Sequence, residues 1–185
     1  WTNTFRYKNF DLSVFINGSY GNKVYNYLSM KLTHMNSPWT NQLNAVNGRA
    51  QLVPINPNKV YEDGTMWYND VSNVMVANPG ASIPRATIND PNDNDRISDR
   101  YIEDGSYIRL KNISLGYTFP KKTIDKLGLS NLRIYANIQN LLTITGYDGY
   151  DPEIGASTSS VNVYGLDNGR YPSPTVYSFG LNVSF

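Results

Sequence analysis

Near the end of the chain Tyr177, Phe179, Leu181, Val183 and Phe185 alternate without exception with Ser178, Gly180, Asn182 and Ser184. A period of two is that of a strand with one apolar face. The same rule holds at Ile113, Leu115, Tyr117 and Phe119 against Asn112, Ser114, Gly116 and Thr118. It holds again at Leu132, Ile134, Ala136 and Ile138 against Arg133, Tyr135, Asn137 and Gln139. Nearer the start Phe10, Leu12, Val14 and Ile16 alternate with Asp11, Ser13, Phe15 and Asn17, Phe15 being the single exception. Residues 2–7 form a weaker partner strand, and the short Lys8-Asn9 link suits a tight hairpin.

The connections between these strands are very unequal: short at 8–9, moderate at 120–131, and long at 21–105 and 146–174. Outer-membrane barrels keep short turns on the periplasmic side and long loops outside. With Phe185 periplasmic and each strand reversing direction, both short links fall inside and both long loops outside. Tyr7, Phe10, Tyr117, Phe119 and Phe185 then gather at the inner ends, and Tyr20, Tyr107 and Tyr177 at the outer ends, as two interfacial girdles would. The steps from Tyr177 to Phe185, at ~3.3 Å each and tilted by ~40°, rise ~20 Å, close to the ~25 Å apolar band of such barrels. Arg109 and Lys111 share the parity of Ile113. They either face lipid and snorkel to headgroups or are turned inward by a bulge. About five strands, an odd number, do not close a bacterial barrel, so this chain is expected to be part of a larger one.

Composition narrows the alternatives. The 16 Lys and Arg nearly balance the 15 Asp and Glu with no long basic run, so nucleic acid is not an expected partner. The absence of cysteine excludes thiol nucleophiles, thiolate metal sites and disulfides. Mean hydropathy is −0.45, and no apolar stretch approaches the ~20 residues of a spanning helix. Barrel strands escape that test because only alternate residues are apolar. The 15 Tyr suit an oil–water boundary, although a soluble carbohydrate-binding β-sandwich would share that excess. Trp1-Thr2-Asn3-Thr4-Phe5 carries no targeting signal: either none is needed or the precursor's start is missing. Within 21–105 a short helix is expected around Val24–Met35, followed by an Asn-, Pro- and Gly-rich region.

Few residues suggest chemistry. Asp90, Asn92, Asp93, Asn94, Asp95 and Asp99 superficially resemble a calcium loop. The sixth position lacks Gly and the twelfth lacks Glu, so a hydrogen-bonded turn fits better. His34 is the only histidine, leaving no zinc site or catalytic triad and reading as a loop side chain. Asp148, Asp151 and Glu153 could pair as glycosidase acids, but acids in a turn-rich loop are more often capping or solvated groups. No enzyme activity and no cofactor are therefore expected. Tyr147, Asp148, Tyr150 and Asp151 in one loop, and Trp39, Trp67 and Tyr68 in the other, are candidates for sugar contact or for loop packing.

A resemblance joins these pieces. PRATINDPNDNDRISDRYIEDGSYIRLKNISLGYTFP at 84–120, NLRIYANIQNLLTITGYDGYDPE at 131–153 and the ending SFGLNVSF resemble segments near the end of SusC/RagA-type TonB-dependent importers. NTFRYKNFDLSVFINGSYG at 3–21 is similar in style, and the likeness is weakest at 36–80. It implies an all-β fold: the last ~5 antiparallel strands of a transmembrane barrel of roughly 22, whose N-terminal plug is not in this chain. It further implies the outer membrane of a Gram-negative, Bacteroidetes-like cell. The partners would be a SusD-like surface lipoprotein, the TonB-ExbB-ExbD complex acting through the missing N-terminal part, and outer-membrane lipid. Glycans or peptides would be the cargo, and the loop rings above could touch cargo or lipoprotein. Ser178, Gly180, Val183 and Phe185 resemble the signal read by the barrel-assembly machinery. The reading from another class remains the secreted, soluble β-sheet module that binds carbohydrate.

Overall fold

The computed structural model describes residues 1–153 and 164–185. Its strands are β1 (Thr2–Tyr7), β2 (Phe10–Ser19), β3 (Lys23–Asn26), β4 (Leu52–Pro54), β5 (Val74–Val76), β6 (Ile102–Asp104), β7 (Tyr107–Thr118), β8 (Asn131–Thr145), β9 (Leu166–Asp167) and β10 (Val176–Ser184). Two short α-helices join them, α1 (Tyr27–Thr33) and α2 (Lys121–Ile124). No helix among the described residues is long and apolar enough to cross a membrane. Contacts divide the chain into two compact units, Trp1–Tyr25 with Ile102–Phe185, and Asn26–Tyr101.

The first unit is built on an antiparallel five-stranded sheet of order β1-β2-β7-β8-β10. All five alternating segments are therefore strands, each beside the next in sequence. Register aligns their faces. Phe5, Leu12, Leu115, Ala136 and Phe179 form one cross-strand row, and Arg6, Asp11, Gly116, Tyr135 and Gly180 form the adjacent row on the opposite face. A one-residue slip of any strand would exchange these faces. Antiparallel pairing puts the Lys8-Asn9 turn and the 119–130 connection at one end, the turn end, and both long connections at the other, the loop end. Lys8 takes φ 51° to make its tight turn, and Gly128 at φ 70° closes the short helical segment after α2.

None of the apolar face's side chains is buried. Phe5 is 58% exposed, Leu115 48%, Phe179 84% and Leu181 60%. No other described element of this unit covers them, contrary to the second sheet that a soluble sandwich requires. An apolar patch of this extent marks a membrane or protein contact surface. On the polar face, Asp11 of β2 and Arg133 of β8 are bridged at 2.6 and 3.1 Å across Gly116 of the intervening β7. A Cβ at Gly116 would overlap both side chains, and one at Gly180 would overlap the Tyr135 ring. These two glycines let large polar groups lie flat across the sheet.

Two departures from simple alternation shape the loop end. Asn112 pairs with Phe15 and Gln139, whereas Leu110 pairs with Ile16 and Leu142, so Lys111 is an extra residue in β7 relative to β2 and is itself faced by two residues of β8, Asn140 and Leu141. This bulge reverses the facing of the residues before it. Ile108 and Leu110 continue the apolar face, while Tyr107 and Arg109 turn to the polar one. Of the two positions open to Arg109, the inward one is therefore adopted, and Tyr107 does not belong to an outer aromatic girdle. The helix expected around Val24–Met35 is also shorter. Val24 and Tyr25 pair with Glu103 and Ile102 as strand, and Asn26 caps α1 by accepting from the Ser29 amide at 2.8 Å.

The unit Asn26–Tyr101 is compact rather than a bare loop. It holds α1 and the β4–β5 pair, with Met30, Ile83 and Tyr101 buried. Asn73, 4% exposed, donates to the Asn56 carbonyl and the Tyr61 hydroxyl at 3.0 Å each and accepts the Asn56 amide at 2.6 Å.

Candidate functional site

At the loop end of the polar face the bulge assembles a charged cluster. Arg109, 3% exposed, donates to Thr143 Oγ1 and Glu153 Oε2, each at 2.8 Å, and to Asp151 Oδ1. Lys111 Nζ pairs with Glu153 Oε1. Asp151 also accepts the backbone amides of Glu153 and Ser173, each at 2.9 Å. The guanidinium thus ties the start of the second long connection to β7 and β8, and Asp151 in turn holds its end through the Ser173 amide. Burial alone pushes the Asp151 carboxyl up, but Arg109 and the Ser173 and Glu153 amides outweigh it and hold the carboxyl below its usual range.

Beside this cluster lies a cleft of about 380 Å³, lined by Lys111, Asp151, Glu153, Asp167, Arg170, Tyr171 and Ser173. Its inner wall is hydrogen-bonded. Tyr147, 6% exposed, donates to Asp167 Oδ2 at 2.5 Å, and Asp167 Oδ1 accepts the Gly169 amide at 2.9 Å. Burial first, then the hydrogen bond to Asp167, raises the Tyr147 phenol far above its ordinary value, so it remains a donor. The outer wall is open. Tyr171 is 84% exposed, and Arg170 has no ion-pair or hydrogen-bond partner among the described residues. Cations and carboxylates in near balance, with one free guanidinium and an exposed ring, can hydrogen-bond a hydroxyl- or amide-rich ligand.

The sequence candidates separate into three settings. Asp151 lies in the cluster itself. Tyr147 stands behind it as a buried support whose ring faces protein, while Asp148 and the exposed Tyr150 lie on the adjacent turn, where Glu103 accepts the Asp148 amide at 3.2 Å. In the other unit Trp39 is 93% exposed, and Trp67 packs edge-on against Tyr68 with centroids 5.6 Å apart. Arg109, Lys111, Asp167 and Arg170 were not singled out for this site. The only signal of Arg109 and Lys111 was charge interrupting the alternation of β7, their partners 42 residues away being invisible in one dimension, and Asp167 and Arg170 gave no local signal. Residues 154–163 of the same connection lie outside the described residues.

The other candidates occupy quieter positions. Asp90 accepts the Asn94 amide at 2.6 Å, the Asn94 side chain at 2.5 Å and His34 Nε2 at 2.9 Å. His34, Asp90 and Asp95 each offer a ligand atom within 4.8 Å of one another, but both oxygens of Asp90 are already engaged in a hydrogen-bonded turn. On β10, Ser178 and Gly180 face the polar side, and Val183 and Phe185 are 38% and 93% exposed.

No protein-family model matches the chain. The chain is 34% identical over 190 residues to TonB-dependent receptor P3 of Formosa agariphila, a match that spans all of this chain and 16% of that receptor. It is 28% identical over 187 residues to TonB-dependent receptor SusC of Bacteroides thetaiotaomicron, spanning all of this chain and 14% of that one. Among solved structures, the RagAB peptide importer in its closed-closed state superposes with a TM-score of 0.64 at 21% identity, over all of this chain and 17% of that chain. Strand arrangement is thus shared at low identity.

Proposed function

The chain belongs to the SusC/RagA family of TonB-dependent receptors, and from that premise we propose that it forms part of the wall and extracellular loops of an outer-membrane nutrient importer. The reading rests chiefly on one observation: a five-stranded sheet with an uncovered apolar face and a polar face crossed by ion pairs. Such a sheet suits lipid on one side and a hydrated lumen on the other. Its turn end faces the periplasm and its loop end the exterior.

Cargo, a glycan or oligosaccharide or else a peptide, enters from outside with the help of a SusD-like lipoprotein. TonB-ExbB-ExbD drives its passage through parts of the protein beyond this chain. The cleft at Lys111, Asp151, Glu153 and Arg170 lies where such cargo would meet the wall, and its donors and acceptors suit either class. Trp39, Trp67, Tyr68 and Tyr150 are contacts for cargo or lipoprotein, with Tyr147 and Asp148 supporting the turn beneath. The pattern of Ser178, Gly180, Val183 and Phe185 is offered to the barrel-assembly machinery by β10.

The test is purification of the full-length protein from its source membranes. A detergent-dependent species of about 100 kDa or more, the size a plugged barrel of this class requires, with a co-purifying lipoprotein, is expected. A species that stays soluble and monodisperse without detergent would refute the importer.

A further inference from the structure

Charge is distributed unevenly along the axis of the sheet. The turn end, comprising Arg6, Lys8 and the 119–130 connection, carries five cations, with Lys121, Lys122 and Lys126, against the single acid Asp125. The rest of the chain holds eleven cations and fourteen acids. All five turn-end cations are exposed; Arg6 lies opposite Asp11 on the polar face, and the four lysines make no salt bridge among the described residues. Arg133, nearby, is already committed to Asp11.

One of these cations, Lys8, sits against the apolar face. The Lys8 ammonium lies 5.4 Å from the centroid of Tyr7, a ring on the apolar side of β1 by register. Tyr117 packs at 4.7 Å against Phe10 and at 5.0 Å against Phe119, forming an aromatic rim at the same end. Leu127, next to Lys126, is 68% exposed. Rings at the rim, an unburied leucine and unpaired ammoniums beyond them repeat the order of a lipid leaflet: acyl chain, carbonyl region, phosphate.

We propose that the turn end is a docking surface for anionic glycerophospholipid headgroups of the leaflet it faces, with Lys8, Lys121, Lys122 and Lys126 pairing to lipid phosphates. The proposal rests on the barrel reading and its orientation. Charge complementarity and continuity with the apolar face select lipid over a soluble anion, because only a lipid can place its phosphate at the cations while its chains lie on Phe10 and Tyr117. A cluster of lysines just beyond an apolar span attracts acidic lipid in this way, each contributing independently and each screened by salt.

The full-length receptor is reconstituted into nanodiscs of equal phosphatidylglycerol and phosphatidylcholine, released into detergent, and its retained lipids are counted by native mass spectrometry. Wild type should retain phosphatidylglycerol preferentially. The variant Lys8→Gln/Lys121→Gln/Lys122→Gln/Lys126→Gln should retain about tenfold less, as should wild type in high salt, and Lys31→Gln in the other unit should match wild type. The four lysines lack ion-pair partners, so an unchanged heat-induced shift on gels will verify that the variant is folded. Equal retention of the two lipids, no loss in the variant, competition by inorganic phosphate at millimolar concentration, or capture of a soluble protein by the patch instead of lipid would each overturn the proposal. If detergent is required throughout but no lipid preference appears, only the headgroup inference fails. If no detergent is required, the barrel reading fails with it.

Discussion

Replacing Arg109 by leucine removes the one group that touches Thr143, Asp151 and Glu153 together. The guanidinium is 3% exposed and the Asp151 side chain 11%. Breaking a buried ion pair from one side costs about 3–5 kcal/mol, because the surviving charge remains desolvated. Glu153 is 30% exposed and keeps Lys111, so the lower figure of about 3 kcal/mol applies, or roughly a hundredfold in the population of open loop. The readout is amide hydrogen exchange of the full-length protein in detergent. The Glu153 and Ser173 amides, which both donate to Asp151, should lose about two powers of ten in protection while the β7–β8 ladder stays slow.

The pH dependence should weaken as well. In wild type the folded Asp151 value lies below its unfolded one. Its contribution is therefore complete above the ordinary value of ~3.9 and is lost as pH falls through the depressed folded value. Without Arg109, only the hydrogen bonds from Ser173 and Glu153 still oppose burial, so the carboxyl rises from its depressed value and the acid-side loss of protection becomes shallower in the variant. Unchanged exchange at Glu153 and Ser173, or an equally steep pH dependence in both proteins, would refute the clamp.

Gly180→Val should destabilise the five-stranded sheet by about 1–3 kcal/mol through overlap with Tyr135. Heat-shift electrophoresis should show most of that loss recovered by a second change, Tyr135→Ala. Tyr147→Phe removes the side-chain donor to Asp167 and should cost about 1–3 kcal/mol; it is read as faster exchange at the Gly169 amide and a lower unfolding temperature. Phe185→Ala should reduce the amount of full-length protein assembled in the outer membrane, and normal surface levels in that variant would refute the assembly role of β10.

The sequence by itself determined the main sheet and its sidedness. In β2, β7, β8 and β10 each apolar residue stands two from the next, so strand identity, facing and the arrangement of short and long links follow from a one-dimensional rule. Phe15 was visible as the exception and does face the polar side. Gly116 and Gly180 were legible only as small residues in polar positions; that they make room for Arg133 and Tyr135 depends on neighbours from other strands. Tertiary structure alone decided the loop end. The bulge at Lys111 leaves no local signature beyond two cations out of phase, yet it reverses Arg109 and Tyr107 and creates the cluster with Asp151 and Glu153. Val24 and Tyr25 likewise read as helix until β6, distant in sequence, supplied the pairing that made them strand. Periodicity records which face a residue would take in a regular element; where that regularity breaks, and which distant group meets the break, depends on contacts that form only in the folded chain.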